Sequence, residues 1–137
     1  MAKTVLIVDD IAFVRKTLSD ILTQAHYQVV GEACDGAEAI ELYQKLRPDI
    51  VTMDVVMPQM SGIDAARRIL KMDRNAKVII ISAMGQDNLI MEAINVGAKD
   101  YIMKPFTAED VLKTINRITS HDKHPGDRTQ RDKSRSS

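Results

Sequence analysis

A chain of 137 residues, 45% hydrophobic and 28% charged, is long enough for one domain with a sizeable core and too apolar for whole-chain disorder. Lys plus Arg and Asp plus Glu number 19 each, so no global field selects nucleic acid or a membrane surface. One cysteine, Cys34, excludes an internal disulfide and a cysteine-based zinc site.

The chain opens Met1-Ala2-Lys3-Thr4 and runs at once into an apolar stretch at 5–8. That stretch is too short for a signal-peptide core or a membrane span, so cytoplasmic residence is expected. Asp9 and Asp10 follow, and a helix is predicted from about Ile11. A second apolar run at 29–33 ends beside Cys34, whose thiol is expected to pack. Asp35-Gly36-Ala37-Glu38 reads as a capping box opening a helix that Arg47-Pro48 ends. The third run, 50–53, delivers Asp54, and Ser61-Gly62-Ile63-Asp64 opens the next helix. The fourth, 78–81, delivers Ser82, and the helix after it stops at Val96-Gly97. The fifth, 101–103, delivers Lys104, and Thr107-Ala108-Glu109-Asp110 opens the last helix.

Four of these five runs lack period-2 alternation for most of their length, as strands covered on both faces do. Parallel strands so covered need crossover helices, and the intervening segments supply them. The pattern predicts an α/β fold, (βα)5, over 1–119. Residues 120–137 contain no aliphatic or aromatic side chain and are predicted to form a polar, disordered tail. Their 5 basic and 3 acidic groups give a net +2, too weak for a DNA-binding arm.

Strand ends in an open parallel sheet share one edge, where ligands collect. Asp9, Asp10, Asp54, Ser82 and Lys104 should therefore converge. Three carboxylates at short range repel one another unless one is protonated or a cation binds. Oxygen donors alone suit a hard ion, and Mg²⁺ needs only one or two carboxylates with waters and a phosphate oxygen. A carboxylate can attack phosphorus to give an aspartyl phosphate, while a metal and a lysine neutralise the charge that builds. Each residue also has an ordinary reading: Asp10 as a helix cap, Ser82 as a strand end, Lys104 as surface charge. His26, His121 and His124 read as solvated, and Met53, Met57, Met60, Met84, Met91 and Met103 as core and rim packing. Positions scattered along the chain yet meeting on one edge favour the joint reading.

Val8-Asp9-Asp10, Met53-Asp54-Val55-Val56-Met57-Pro58-Gln59-Met60-Ser61-Gly62, Ile81-Ser82-Ala83 and Lys104-Pro105-Phe106, in this order and spacing, resemble the response-regulator receiver family over about residues 3–119. The resemblance implies a flavodoxin-like fold with strand order 2-1-3-4-5 and phosphorylation of Asp54. It implies direct Mg²⁺ ligation by Asp10 and Asp54, Asp9 acting mostly through water, and the backbone carbonyl of Val56 completing the protein's share of the shell. Lys104 would pair with the phosphoryl group, and the Lys104–Pro105 peptide would be cis. Ser82 would be the switch hydroxyl and Tyr101 the aromatic that swings inward with it. Ser82 stands where Thr is commoner, and Ser61 where Asp is. Val56 and Met84 take positions that modulate the access of water. Both are apolar here, so slow loss of the phosphoryl group is expected.

With 18 residues after 119, output is expected through the domain's own surface. The stretches 82–86, 89–94 and 97–101 are similar to those of stand-alone chemotaxis receivers. That implies a monomeric phospho-acceptor, not an enzyme in its own right, which promotes its own Mg²⁺-dependent phosphorylation and dephosphorylation. Its partners would be a chemotaxis histidine kinase, a flagellar motor switch protein docking on helix 4, strand 5 and helix 5, and a phosphatase, with no nucleic acid or membrane. The alternative is a phosphorelay intermediate passing its phosphoryl group to a histidine phosphotransfer protein. An aspartate-nucleophile phosphohydrolase would need one residue between its first two acids and a nucleophile on strand one. A nucleotide- or flavin-binding module would need a glycine-rich phosphate loop, which Gly31, Gly36, Gly62, Gly85, Gly97 and Gly126 do not make.

Overall fold

The five apolar runs become five strands in a computed structural model, which describes residues 2–123. Strands and helices alternate as β1 (Thr4–Val8), α1 (Ala12–Gln24), β2 (Gln28–Ala33), α2 (Gly36–Leu46), β3 (Ile50–Asp54), α3 (Gly62–Met72), β4 (Val78–Ala83), α4 (Asp87–Val96), β5 (Asp100–Lys104) and α5 (Ala108–Lys123). All neighbouring strands pair in parallel, in the order β2-β1-β3-β4-β5. This is the expected flavodoxin-like arrangement.

Successive strand residues point to opposite faces, and in this chain both faces are apolar. Leu6, Val8, Val51, Met53 and Ile80 pack against Ala39 and Tyr43 of α2, Ala66 and Ile69 of α3, and Ala93 of α4. Val5, Ile7, Ile50, Ile79 and Ile81 pack against Leu18 and Leu22 of α1 and Val111 and Ile115 of α5. Three helices thus cover one face and two the other. Each aliphatic side chain so buried contributes about 1.5–3 kcal/mol relative to exposure. The edge strands β2 and β5 remain partly exposed.

Local chemistry fixes the helix starts. Thr107 and Asp110 form a complete capping box: Asp110 N donates to Thr107 Oγ1 and Thr107 N to Asp110 Oδ2, both at 3.0 Å. The other two boxes are half formed. Asp35 Oδ1 and Ser61 Oγ accept from Glu38 N and Asp64 N, but the acidic partners turn elsewhere. The Glu38 carboxylate takes the Cys34 N–H, and that of Asp64 takes Arg67 Nη1. Gly62, first in α3, lies so close to β3 that a Cβ would sit 1.9 Å from the backbone carbonyl oxygen of Asp54. Only a glycine lets α3 approach this closely, and its N–H donates to Val55 O at 2.8 Å.

Two expectations change. Cys34 is exposed, because it lies just past the edge strand β2 and turns toward Glu38, its Sγ 3.3 Å from Glu38 Oε1. That carboxylate contact, the largest influence, pushes the thiol's pKa up. Helix α5 runs on to Lys123, beyond the boundary at 119. Once a helix is nucleated each further residue adds one backbone bond, so polar residues can continue it. The tail expectation for 124–137, and with it His124, lies outside the described residues, as does the side chain of His121. His26 sits exposed in the α1–β2 turn. Among the described residues no helix is long and apolar enough to cross a membrane.

Candidate functional site

Strands β1, β3, β4 and β5 end on one edge, and their last residues carry the polar groups. Asp9 is the first residue after β1, and its N–H continues the ladder by donating to Ala33 O at 3.1 Å. Val8 pairs with Met53, so Asp9 and Asp54 come side by side on adjacent strands. Asp54 pairs with Ile81, and Ser82 and Ala83 pair with Met103 and Lys104. Strand order reverses between β1 and β3, and a cleft opens there.

Asp9 is fully buried, Asp54 is 6% exposed and Asp10 is exposed. The Asp9 backbone and side chain are both held. Its Oδ1 accepts from Ile11 N at 2.9 Å, and its carbonyl accepts from Arg15 Nη1 at 2.7 Å. Arg15 is itself anchored to Glu32 across the start of α1. Helix α1 has no side-chain cap, so the capping role considered for Asp10 is not used and that carboxylate is left free to face the cleft mouth.

Carboxylate oxygens of Asp9, Asp10 and Asp54 lie within 4.8 Å of one another. Lys104 Nζ bridges two of them, 3.2 Å from Asp9 Oδ2 and 3.5 Å from Asp54 Oδ2. The ammonium is near enough to Asp9 Oδ2 for an ion pair but poorly aligned, so that buried oxygen has no hydrogen-bond partner. Burial pushes the Asp54 carboxyl up to about 6, with Asp9 and then Asp10 adding repulsion against the opposing pull of Lys104 and the Val56 N–H. With all three acids ionised and one lysine, the cleft carries two excess negative charges. A hard divalent cation fits this set on three counts: oxygen donors only, a charge deficit of two, and a buried carboxylate oxygen still lacking a hydrogen bond.

The Ser82 hydroxyl is fully buried and donates to Gln86 Oε1 at 2.7 Å. Tyr101 faces outward, 43% exposed, on the rim of a shallow cavity of about 430 Å³ shared with Ile90, Met91 and Ile94 of α4 and Met103 of β5. The Lys104–Pro105 peptide is cis. Val56 and Met84 are apolar and largely exposed. The methionines divide as expected between core (Met53, Met57) and rim (Met84, Met91).

Arg15 and Gln86 escaped the sequence reading. An arginine one turn into the helix after an acid pair is a signal that could have found the first. Gln86 gives no comparable signal, since an amide before a helix is common.

Comparison with known proteins follows the same lines. The model of the response regulator receiver domain matches residues 5–116. The chemotaxis protein CheY of Thermotoga maritima is 56% identical over 119 residues, spanning 87% of this chain and 99% of that protein. The Bacillus subtilis CheY is 50% identical over 117 residues, spanning 85% and 98%. Among solved structures, the CheX-CheY-BeF3-Mg+2 complex from Borrelia burgdorferi superposes with a TM-score of 0.82 at 39% identity, covering 85% of this chain and 89% of that one.

Proposed function

The chain belongs to the response regulator receiver family, and from that premise we propose that it is a cytoplasmic, monomeric chemotaxis regulator that takes a phosphoryl group from a histidine kinase onto Asp54. The observation that carries the reading is the three-carboxylate cleft, in which the two buried acids, Asp9 and Asp54, are bridged by Lys104.

One Asp54 carboxylate oxygen attacks phosphorus in line, a P–O bond forms, and the bond from phosphorus to the donor's histidine nitrogen breaks. Asp54 must be ionised to attack, which its pKa of about 6 permits at neutral pH. Asp9, Asp10, Asp54 and the Val56 carbonyl would hold Mg²⁺, which when bound offsets negative charge on the phosphoryl oxygens. Lys104, on a flexible stem with its side chain 23% exposed, can follow those oxygens as a point charge. The added charge, about −1.5 to −2, attracts the Ser82 O–H, and its departure lets Tyr101 turn in from the surface. The phosphoryl group thus favours one of two conformations of the α4–β5–α5 face.

On that face the exposed Met91, Ile94 and Tyr101 support a docking surface, and we assign it to the flagellar motor switch protein. A motor-switch N-terminal peptide should bind about tenfold or more tightly once acetyl phosphate and Mg²⁺ are added. Unchanged affinity, with efficient back-transfer to a histidine phosphotransfer protein, would support the relay reading instead. The CheX-CheY-BeF3-Mg+2 complex supports a further partner that engages this family when it carries a phosphoryl-like group.

Val56 and Met84 present neither carboxylate nor amide to orient an attacking water beside the phosphoryl group. The isolated phosphoprotein should therefore decay over minutes or longer. Decay within seconds, measured by loss of label in the absence of any phosphatase, would rule this out.

A further inference from the structure

We propose that Gln86 is a positioning residue that latches the Ser82 hydroxyl away from the acid cleft and ties it to the first turn of α4. The inference rests on the reading of Asp54 as phospho-acceptor and Ser82 as its switch.

A serine hydroxyl has one proton to give. In Ser82, which is fully buried, that proton is committed at 2.7 Å to Gln86 Oε1, with a longer approach of 3.3 Å to Ala83 O. While it is so committed it cannot donate to an oxygen on Asp54. Gln86 Oε1 also accepts the Ala83 N–H at 2.8 Å, so both lone pairs of the amide oxygen face the end of β4.

The backbone of the same residue faces the other way. Gln86 O accepts from Leu89 N at 3.0 Å and Ile90 N at 3.1 Å, the bonds that open α4. Helix α4 has no side-chain cap, and Gln86, in the cap position, has its amide oxygen turned to the strand. Gly85 precedes it with φ +89° and nothing within 4 Å of where a Cβ would be, so the joint between strand and helix has room to move. One residue therefore holds the switch hydroxyl by its side chain and the start of the output helix by its backbone.

Pulling Ser82 toward a phosphoryl group must break the bond to Gln86. Freed, Gln86 can turn its amide toward the uncapped helix end, shifting the first turn of α4, where Ile90 borders the cavity at Tyr101. The coupling is reciprocal: whatever holds α4 in the shifted form also leaves Ser82 free to donate.

The test uses the whole chain, with beryllium fluoride plus Mg²⁺ as the phosphoryl probe and calorimetry as the readout. Gln86→Ala should bind the probe about three- to tenfold more tightly than the parent, the range expected when one competing hydrogen bond is removed. In a Ser82→Ala background the same substitution should leave affinity unchanged, because the latch then has nothing to hold. In the metal-free protein, Gln86→Ala should move the amide NMR signals of Ser82, Ala83 and Tyr101 part of the way toward their probe-bound positions. Equal effects in both backgrounds, or no effect in a parent that binds the probe, would overturn the latch alone. A parent that fails to bind the probe would overturn the Asp54 reading and the latch with it.

Discussion

Asp54→Asn should end phosphorylation and at the same time make the protein more stable. Asparagine keeps the shape of the side chain but lacks the ionised oxygen that attacks phosphorus, so labelling by acetyl phosphate with Mg²⁺ should drop by about 10³-fold or more. Stability moves the other way because Asp54 is ionised against its surroundings. Its pKa rises from 3.8 to about 6 in the fold, chiefly through burial, and about two pKa units amount to about 3 kcal/mol. A carboxyl whose folded pKa exceeds its unfolded one favours the folded state when protonated. The native protein therefore loses this stability as pH climbs from about 4 through about 6, and the loss is complete above. The variant escapes the loss, and its amide can offer an N–H beside Asp9 Oδ2, which has no hydrogen-bond partner. At about pH 8 its thermal midpoint should rise by roughly 5–10 °C, and below about pH 4 the gain should vanish. Undiminished labelling would sink the acceptor assignment. A midpoint that fails to rise would sink the account of carboxylate repulsion.

Chelating divalent metal should be nearly as damaging as losing Asp54. Without a cation the cleft would have to gather a phosphoryl group onto three carboxylates with Lys104 alone to offset them, a net excess of two negative charges. Labelling in EDTA should fall by about 10²-fold or more and return when Mg²⁺ is restored. At the proposed site Mg²⁺ would bind the ionised form of Asp54, so below about pH 6 it would have to displace a proton there. Apparent Mg²⁺ affinity should be flat above pH 7 and fall about tenfold per pH unit below about 6. The rise in thermal midpoint with saturating Mg²⁺ follows the same curve, large at about pH 8 and small at about pH 5. A stabilisation independent of pH would show that the ion binds elsewhere.

Most of the scaffold was legible because the strands are buried on both faces. An apolar run with no alternation, bounded by a helix start, has few other solutions, and the central runs at 5–8, 50–53 and 78–81 lie inside the strands observed. The convergence of Asp9, Asp54 and Lys104 follows from where the runs 5–8, 50–53 and 101–103 end. Less was legible where a contact depends on three-dimensional direction. Cys34 follows an apolar segment, yet β2 is an edge strand and the next residue turns outward. No periodicity told how deeply each of the adjacent acids lies, whereas one is fully buried and the other exposed. Asp9 continues the β ladder and so is drawn inward; Asp10 falls in the turn. The Ser82–Gln86 bond crosses a loop whose path rests on a positive φ at Gly85, and no periodicity encodes that.

Every strand runs toward the acid cleft and every helix runs back, so β1 begins and α5 finishes on the edge of the sheet opposite to it. The two ends of the fold share a side with the turns at His26, Arg47 and Gly97. A fluorescent label, an affinity handle or a tethered domain joined directly to the start of β1 or the finish of α5 would leave the fold on the edge opposite the carboxylates. The chemical mouth of the molecule and its points of attachment are thus separated by construction, and reporters can be added without blocking the entry of a phosphodonor.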